Sequence, residues 1–126
     1  MRGLLDTSVF VAREQHRRLD SLPEEAAISV MTIAELHVGV LITDDPSVRA
    51  QRLRTLSEVE RTFDPLPVDV DVARRFAQIV AQARREGRRP KIVDALVAAT
   101  AAKNGLPVYT QDADFEQMPG IRVVRV

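Results

Sequence analysis

The segment Ile92-Val93-Asp94-Ala95-Leu96-Val97-Ala98-Ala99-Thr100-Ala101-Ala102 predicts a helix, because it consists mainly of strong helix formers and contains neither Gly nor Pro. Its apolar residues lie on nearly every side, so the rest of the domain is expected to cover most of its surface. Asp94 is the exception, and a lone carboxylate is costly to bury unless a partner neutralises it. Either Asp94 merely favours the positive N-terminus of the helix, or it belongs to a functional site.

Short apolar segments and helical patterns alternate on both sides of this helix. Strands are predicted at residues 3–5, 26–30, 65–68, 107–110 and 121–124. Helices are predicted at residues 9–18, 32–41, 46–63 and 70–87, and a turn with one helical turn at residues 111–118. The alternation predicts an α/β sandwich around a mostly parallel sheet.

Residues that favour helix ends mark several boundaries. Asp45 and Pro46 predict the start of one helix, with Asp45 as its N-cap and Pro46 at its first position. Gly105 predicts a left-handed cap at the end of the Asp94 helix. The other predicted N-caps are Thr7 or Ser8 for the first helix and Asp69 for the helix that ends at Gly87.

The length and composition exclude several classes of protein. A chain of 126 residues predicts one domain, residues 1–126, with a sizeable core. Its 18 basic and 18 acidic residues give a formal net charge of zero, so any attraction to nucleic acid must be local. The absence of Cys excludes disulfides and thiolate metal sites. No apolar stretch approaches the ~18 residues that span a bilayer, and Met1 to Asp6 is too short for a signal-peptide core, so a cytoplasmic protein without membrane contact is expected.

Four acids are expected to meet at one end of the sheet. Asp6 and Asp112 follow predicted strands, and Glu35 lies about one helical turn after another. Asp94 begins the helix that leads into the next strand, and Asp114 lies two residues beyond Asp112. In open parallel sheets, ligand sites lie outside the carboxyl ends of the strands.

Each acid also has an ordinary local explanation. Asp6 is suited to cap a helix, and Asp112 and Asp114 are typical turn formers. Glu35 can extend into solvent from its helix. Residue types alone do not decide between these explanations and a shared site.

A shared site would have a definite chemistry. Four neighbouring carboxylates repel one another and raise their own pKa values unless a cation intervenes. Oxygen ligands favour Mg²⁺ or Mn²⁺ over zinc, and His16 and His37 show no metal-ligand spacing and receive no role. Such a cleft suits metal-assisted phosphodiester hydrolysis, in which one carboxylate orients or deprotonates the attacking water.

The chain resembles the PIN-domain ribonucleases, and most closely the VapC-type toxins of bacterial toxin–antitoxin pairs. Four motifs carry the resemblance: Leu5-Asp6-Thr7-Ser8-Val9-Phe10, Ser29-Val30-Met31-Thr32-Ile33-Ala34-Glu35-Leu36, Pro90-Lys91-Ile92-Val93-Asp94-Ala95-Leu96-Val97-Ala98-Ala99-Thr100-Ala101 and Tyr109-Thr110-Gln111-Asp112-Ala113-Asp114-Phe115. The resemblance implies a catalytic, metal-binding quartet of Asp6, Glu35, Asp94 and Asp112. It implies that Asp6 and Asp94 are the principal metal ligands. The supporting residues that it implies are Thr7, Ser8, Thr110 and Asp114.

The resemblance also implies a fold and partners. The expected fold is a PIN-like three-layer sandwich, with four to five short strands in a mostly parallel sheet flanked by helices. The expected activity is that of a Mg²⁺-dependent endoribonuclease, with Mn²⁺ as a possible replacement, and its targets are structured RNAs such as tRNA or rRNA. A homodimer and a small antitoxin that blocks the cleft are implied as partners.

One dense basic segment precedes Asp94 and predicts RNA contacts. Its basic residues are Arg84, Arg85, Arg88, Arg89 and Lys91. They are suited to hold RNA phosphates without reading sequence, although a solvated helix end explains them equally well. With 4% aromatic residues and no Trp, a base-stacking platform is not expected, and RNA shape is the more plausible cue.

Two other functions stay open at this level. A phospho-receiver-like signalling domain has a similar size and an acidic Mg²⁺ cleft, but Asp6 stands alone after the first strand, and residues 120–126 contain no Lys. A catalytically inactive PIN-fold module that only binds RNA is the third interpretation. Any part of the apolar stripes of helices 9–18 and 46–63 that stays exposed would mark a subunit or antitoxin surface.

Overall fold

Four short parallel strands form the sheet at the centre of the computed structural model, which describes residues 1–126. They are β1 (Arg2–Leu5), β2 (Glu25–Ala27), β3 (Val108–Thr110) and β4 (Val123–Arg125). Their order in the sheet is β2-β1-β3-β4, and every neighbouring pair is parallel. The predicted α/β class with a mostly parallel sheet is confirmed, with four strands.

Five α-helices and one 3₁₀-helix connect the strands. The α-helices are α1 (Thr7–Glu14), α2 (Val30–Ile42), α3 (Pro46–Thr62), α4 (Val70–Arg85) and α5 (Ile92–Lys103). The 3₁₀-helix, Ala113–Gln117, links β3 to β4. Asp45 caps α3 and Asp69 caps α4, each through a side-chain oxygen that accepts backbone N–H hydrogen bonds, as predicted. None of the helices combines the length and the apolar character that crossing a membrane requires.

The two faces of the sheet bury separate apolar clusters. Because side chains alternate along a strand, Leu4 and its partner Val108 face the layer of α4 and α5. Leu5 and Tyr109 face the opposite layer, where α1, α2 and α3 pack. This arrangement is the three-layer sandwich that the sequence predicted.

The strand order reverses between β1 and β3. After β1 the chain crosses to β2 on one side, whereas β3 and β4 extend the sheet on the other side. The carboxyl ends of β1 and β3 therefore flank the topological switch point, which is where open α/β sheets bind ligands.

The first helix differs from its prediction at both ends. Asp6, rather than Thr7 or Ser8, is the N-cap of α1, because its side chain accepts a hydrogen bond from the Ser8 N–H. The helix ends at Glu14 instead of near residue 18. His16 adopts a left-handed φ of 56°, and Arg17 N–H donates to the Ala12 carbonyl in a Schellman motif. A non-glycine residue at this position gave no stop signal in the sequence.

The predicted strand at residues 65–68 is wrong. Only an isolated bridge joins Leu66 to Ser29, next to β2. Leu66 donates its N–H to the Ile28 carbonyl and accepts the Val30 N–H, while Pro65 and Pro67 leave the opposite edge of this segment without N–H donors.

Candidate metal centre

Asp6 lies directly after β1 and is held by two donors. Its Oδ2 accepts hydrogen bonds from the Thr110 hydroxyl at 2.9 Å and from the Ser8 N–H at 3.3 Å. The residue is buried, and only this one carboxylate oxygen is used. These two hydrogen bonds therefore hold the Asp6 side chain at the switch point and leave its Oδ1 available to a ligand.

Hydroxyl groups join the carboxyl ends of β1 and β3. The single Thr110 hydroxyl proton is donated to Asp6, so the Ser8 hydroxyl, 3.1 Å away, donates to Thr110 Oγ1. Ser8 Oγ in turn accepts the Gln111 N–H at 3.0 Å, and Thr110 Oγ1 accepts the Asp112 N–H at 2.9 Å. This network fixes the segments that carry Asp6 and Asp112 relative to each other.

Asp94 lies in the first turn of α5 and is almost fully buried, with 9% of its surface exposed. Its Oδ2 is buried and has no hydrogen-bond partner. The helix N-cap, Lys91, makes no side-chain capping bond. A buried carboxylate oxygen without a donor is costly to the fold, so the stability of α5 does not explain this side chain.

Three carboxylates converge at this point. Asp94, Asp112 and Asp114 each present an oxygen, and these three oxygens lie within 4.8 Å of one another. Asp112 also caps the 3₁₀-helix, because its Oδ1 accepts the Asp114 N–H at 2.9 Å. Its local role as a turn former therefore coexists with membership of the cluster.

Glu35, on α2, and Asp6 do not belong to this group of three oxygens. Glu35 Oε1 accepts a short hydrogen bond of 2.6 Å from the Thr7 hydroxyl, and Thr7 Oγ1 lies 3.2 Å from the hydroxyl of the buried Thr32. Glu35 is half-buried rather than extended into solvent. Burial raises its pKa, the hydrogen bond from Thr7 opposes the rise, and the charge of Asp6 adds to it.

The electrostatics of Asp94 show that the acids act on one another. Burial raises the pKa of Asp94 from 3.8 to about 6. The negative charges of Asp6, Asp112 and Glu35 contribute to this rise, in that order of size, and the positive charge of Lys91 opposes them. The four predicted acids thus lie in one electrostatic neighbourhood.

This donor set fits a hard divalent cation. The oxygens are carboxylates, no thiolate or imidazole takes part, and Asp94 Oδ2 lacks any protein donor. Oxygen-only sites of this kind favour Mg²⁺ and Mn²⁺ over zinc. A cation would also relieve the repulsion that raises the pKa of Asp94.

Some basic side chains of the segment before α5 form hydrogen bonds or ion pairs within the chain, and others do not. The guanidinium of Arg88 bonds to the Glu86 carboxylate and to the Gln117 carbonyl oxygen. Lys91 Nζ lies 3.7 Å from Asp114 Oδ2, and Arg89 forms no ion pair or hydrogen bond. Arg88, Arg89 and Lys91 line a cavity that reaches Asp94, whereas Arg84 lines a neighbouring apolar groove and Arg85 is exposed on α4.

The structure adds one residue to the predicted set and changes the place of another. Thr32 is buried beside Thr7 and supports the group that holds Glu35, although nothing in its sequence context distinguished it from a residue of the helix interior. Asp114 was predicted as a supporting residue, yet its oxygen lies among those of Asp94 and Asp112. Its position two residues after Asp112 was the available signal.

Comparisons with known proteins agree with this geometry. A family model described as PIN domain matches residues 3–121. Ribonuclease VapC5 of Mycobacterium tuberculosis is 46% identical over 129 residues, covering 98% of this chain and 95% of that protein. Ribonuclease VapC8 of the same organism is 48% identical over 101 residues, covering 79% and 89%. The crystal structure of VapBC-5, a member of the VapBC family of toxin–antitoxin systems from M. tuberculosis, matches with a TM-score of 0.91 and 44% identity, covering 99% and 98%.

Proposed function

Because the chain belongs to the PIN domain family and, within it, to the VapC ribonucleases, we propose that it is a metal-dependent endoribonuclease and the toxin of a toxin–antitoxin pair. The observation that carries the metal dependence is the buried, unpartnered Oδ2 of Asp94 beside the carboxylates of Asp112 and Asp114. Family membership removes the reason for the signalling alternative. An inactive RNA-binding module is distinguished by experiment.

The metal would be held by the acids at the switch point. We assign Asp6, Glu35, Asp94 and Asp112 as catalytic and metal-binding residues, with Asp114 as a further oxygen donor. When bound, Mg²⁺ or Mn²⁺ supplies Lewis acidity for phosphodiester hydrolysis and offsets the negative charge of the cluster. Thr7, Ser8 and Thr110 keep the carboxylates oriented through their hydroxyl hydrogen bonds.

Glu35 is the acid best suited to accept a proton from the attacking water. Its raised pKa makes it a stronger base than an ordinary glutamate. The 2.6 Å bond from Thr7 occupies Oε1 and leaves Oε2 available. Thr7 therefore positions the side chain.

The RNA backbone would contact the basic segment next to the acids. Arg89 and Lys91 are the main candidates, because both line the cavity that reaches Asp94 and both side chains are exposed. Arg84 and Arg85 extend the positive surface along the end of α4, and Arg88 contributes charge from a fixed position. Such contacts hold phosphates without reading bases, which suits a structured target of the tRNA or rRNA class.

Exposed apolar residues on α2 and α3 support the proposal that the chain binds a protein partner. Val38, Leu41 and Ile42 on α2 and Leu53 on α3 form an exposed apolar surface, and Leu41 and Ile42 are more than two-thirds exposed. Surfaces of this kind mark protein interactions, and we propose that the cognate antitoxin docks there. The similar VapBC-5 structure belongs to a toxin–antitoxin system, which supports a partner of this type.

We also propose a homodimer and a cytoplasmic location. A second partly apolar groove lies between α4 and the start of α5, where Phe76, Val80 and Ile92 contribute to its wall. Ile92 is 67% exposed, although it belongs to the otherwise buried helix α5. A second copy of the chain would cover this side chain.

The decisive experiment measures RNA cleavage by the purified protein with Mg²⁺ or Mn²⁺, with and without EDTA. We expect cutting with either ion, none with EDTA, and a loss of roughly 100-fold or more in Asp94→Asn, because removing one preorganised charge from a catalytic site costs about this much. Asp64→Asn is the matched control, since Asp64 lies away from the acids, at the end of α3, and makes no ion pair or hydrogen bond. Cutting that survives EDTA, or full activity in Asp94→Asn, would contradict the metal mechanism, and no cutting of any RNA would favour the inactive module.

A further inference from the structure

A small cavity lies beside the acidic cluster, between the end of α4, the segment before α5 and the 3₁₀-helix. Its volume is about 170 Å³. Its floor contains the buried Ala83 and Met118, and one wall is shared with the cluster through Asp94 and Asp114. The metal site uses only this wall, so the rest of the cavity has no role in the proposed hydrolysis.

The size of the cavity fits one aromatic ring system. A cavity of about 150 Å³ accommodates benzene, whereas sites for drug-sized ligands occupy roughly 300–1,000 Å³. The cavity is thus too small for a nucleotide as a whole and large enough for its base. The sugar and phosphate would remain at the mouth, where Arg89 and Lys91 are exposed.

The polar groups of the cavity suit the edge and the face of a base. Gln117 is one of the lining residues and is exposed, and its side-chain amide forms no hydrogen bond within the chain, so its donor and its acceptor are both available to a ligand. Arg88 also lines the cavity, and its guanidinium bonds to the Glu86 carboxylate and to the Gln117 carbonyl. A fixed, planar guanidinium is a surface on which an unstacked RNA base packs.

We propose that this cavity binds one nucleobase of the RNA, that of a nucleotide adjoining the cleaved phosphodiester, and that Gln117 reads its edge. The inference rests on the proposed function for the identity of the ligand. A phosphate ion would contact Arg89 and Lys91 at the mouth, whereas the buried side chains of Ala83 and Met118 offer it no hydrogen-bond donor, so the apolar part of the cavity suits a base better than a phosphate. Gln117 is accordingly a specificity residue and not part of the catalytic machinery.

Binding is tested without cleavage through the methionine methyl groups. The chain has three Met residues, and of these only Met118 lines the cavity, so Met1 and Met31 are internal references. Protein labelled with ¹³C at the methionine methyls is titrated, in the presence of Mg²⁺, with nucleoside 5′-monophosphates and, separately, with ribose 5-phosphate and inorganic phosphate. We expect a nucleoside monophosphate to shift the Met118 methyl signal, whereas the two ligands without a base leave it in place.

Two variants and one matched control sharpen the test. Gln117→Ala should weaken nucleotide binding roughly threefold to tenfold, which corresponds to one or two neutral hydrogen bonds. Ala83→Leu fills the cavity and should abolish the Met118 shift, while Gln82→Ala, on the exposed side of α4, should bind as the wild type does. The Gln117 variant does not disturb the core, so it tests the proposal even where Ala83→Leu fails to fold.

The outcomes separate this proposal from the proposed function. An unmoved Met118 signal with every nucleotide, or equal shifts with ribose 5-phosphate or phosphate, overturns the base site whether or not the protein cuts RNA. A nucleotide-specific shift in a protein that cuts no RNA supports the base site and contradicts the ribonuclease proposal. In RNA cleavage mapped by sequencing of the cut ends, wild type should favour one base at a position next to the cut, and Gln117→Ala should lose that preference while it still cuts. An unchanged preference overturns the role of Gln117.

Discussion

Asp69 and Asp94 both lie at the start of a helix, yet their surroundings differ. Asp69 caps α4 near the surface, where its side chain accepts the Val72 N–H at 2.9 Å and pairs with Lys103 Nζ at 3.0 Å. These partners lower the pKa of Asp69 below its usual 3.8, with the Val72 hydrogen bond as the largest cause. Asp94 lies in the first turn of α5, is buried, has one unpartnered oxygen, and has a pKa raised to about 6.

Asp69 therefore stabilises the fold, whereas Asp94 destabilises it. Each group that contacts Asp69 favours its charged form, as expected of a helix cap. Burial and three neighbouring carboxylates disfavour the charged form of Asp94, and only Lys91 opposes them. A side chain kept in so unfavourable a place is the kind that functional sites retain.

The largest effect is expected on catalysis. Asp112→Asn should lower the rate of RNA cleavage roughly 100-fold, because it removes one charge from the cluster, whereas Asp69→Asn should stay close to the wild-type rate. Single-turnover cleavage of one RNA by the two variants measures this contrast. Equal losses in both would mean that the effect comes from the fold and not from the cluster.

A smaller effect is expected from the residue that positions Glu35. Thr7→Val removes the hydroxyl that donates to Glu35 Oε1 and should lower kcat roughly tenfold. This is less than the roughly 10²–10⁴-fold that a general base contributes, because the variant keeps the base and loses only its orientation. Without this bond the pKa of Glu35 rises further, so the acidic limb of the pH–rate profile should move to higher pH. Thr7→Ser keeps the hydroxyl and should restore both values. A Thr7→Val enzyme with an unmoved profile would leave Thr7 with a structural role only.

The smallest effect is expected on stability without metal. The pKa of Asp94 is higher in the folded state than in the unfolded state, so the folded protein binds this proton more tightly and loses stability as pH rises from about 4 through 6. Asp94→Asn removes that loss and should raise Tm in EDTA by several degrees at pH 7.5, with no gain near pH 4.

The corresponding substitution of Asp69 should change Tm in the opposite direction. The lowered pKa of Asp69 stabilises the fold above its usual value of 3.8, and this contribution is lost as pH falls below that value. Asp69→Asn should therefore lower Tm at pH 7.5. A decrease in Tm for Asp94→Asn as well would remove the contrast between the two acids.

Local signals predicted most of the fold. The apolar period of α4 was visible, and Val72, Ile79 and Ala83 are indeed buried. The cap at Asp45, the proline at position 46 and the left-handed Gly105 all lie where the sequence indicated. These features depend on neighbouring residues only, and the sequence contains that information.

The errors arose where contacts between distant residues, or an unusual backbone conformation, determine the structure. His16 ends α1 in a conformation that glycine usually adopts, and Leu66 forms only an isolated bridge to Ser29 instead of a strand. Leu41 is an apolar residue of the helix predicted at residues 32–41, yet it is 71% exposed on α2. Periodicity shows which residues share a helix face, but it does not show whether another element of the same chain covers that face.

Residue types and order indicated the acids of the candidate site but not their packing. The predicted strand ends were enough to place Asp6 and Asp112 at one edge of the sheet. The hydroxyl network of Ser8 and Thr110 joins residues 102 positions apart, and such pairings follow only from the strand register. The unpartnered oxygen of Asp94 likewise follows from tertiary packing.

The most direct test of the cation-binding cluster is a ¹³C NMR pH titration of the Asp94 carboxyl group, with Asp69 as the internal reference. Without metal we expect a pKa of about 6 for Asp94 and a value below 3.8 for Asp69. Saturating Mg²⁺ should lower the pKa of Asp94 strongly and leave that of Asp69 unchanged, because only Asp94 would gain a cation. A pKa near 3.8 for Asp94 in the metal-free protein, with no response to Mg²⁺, would contradict the account.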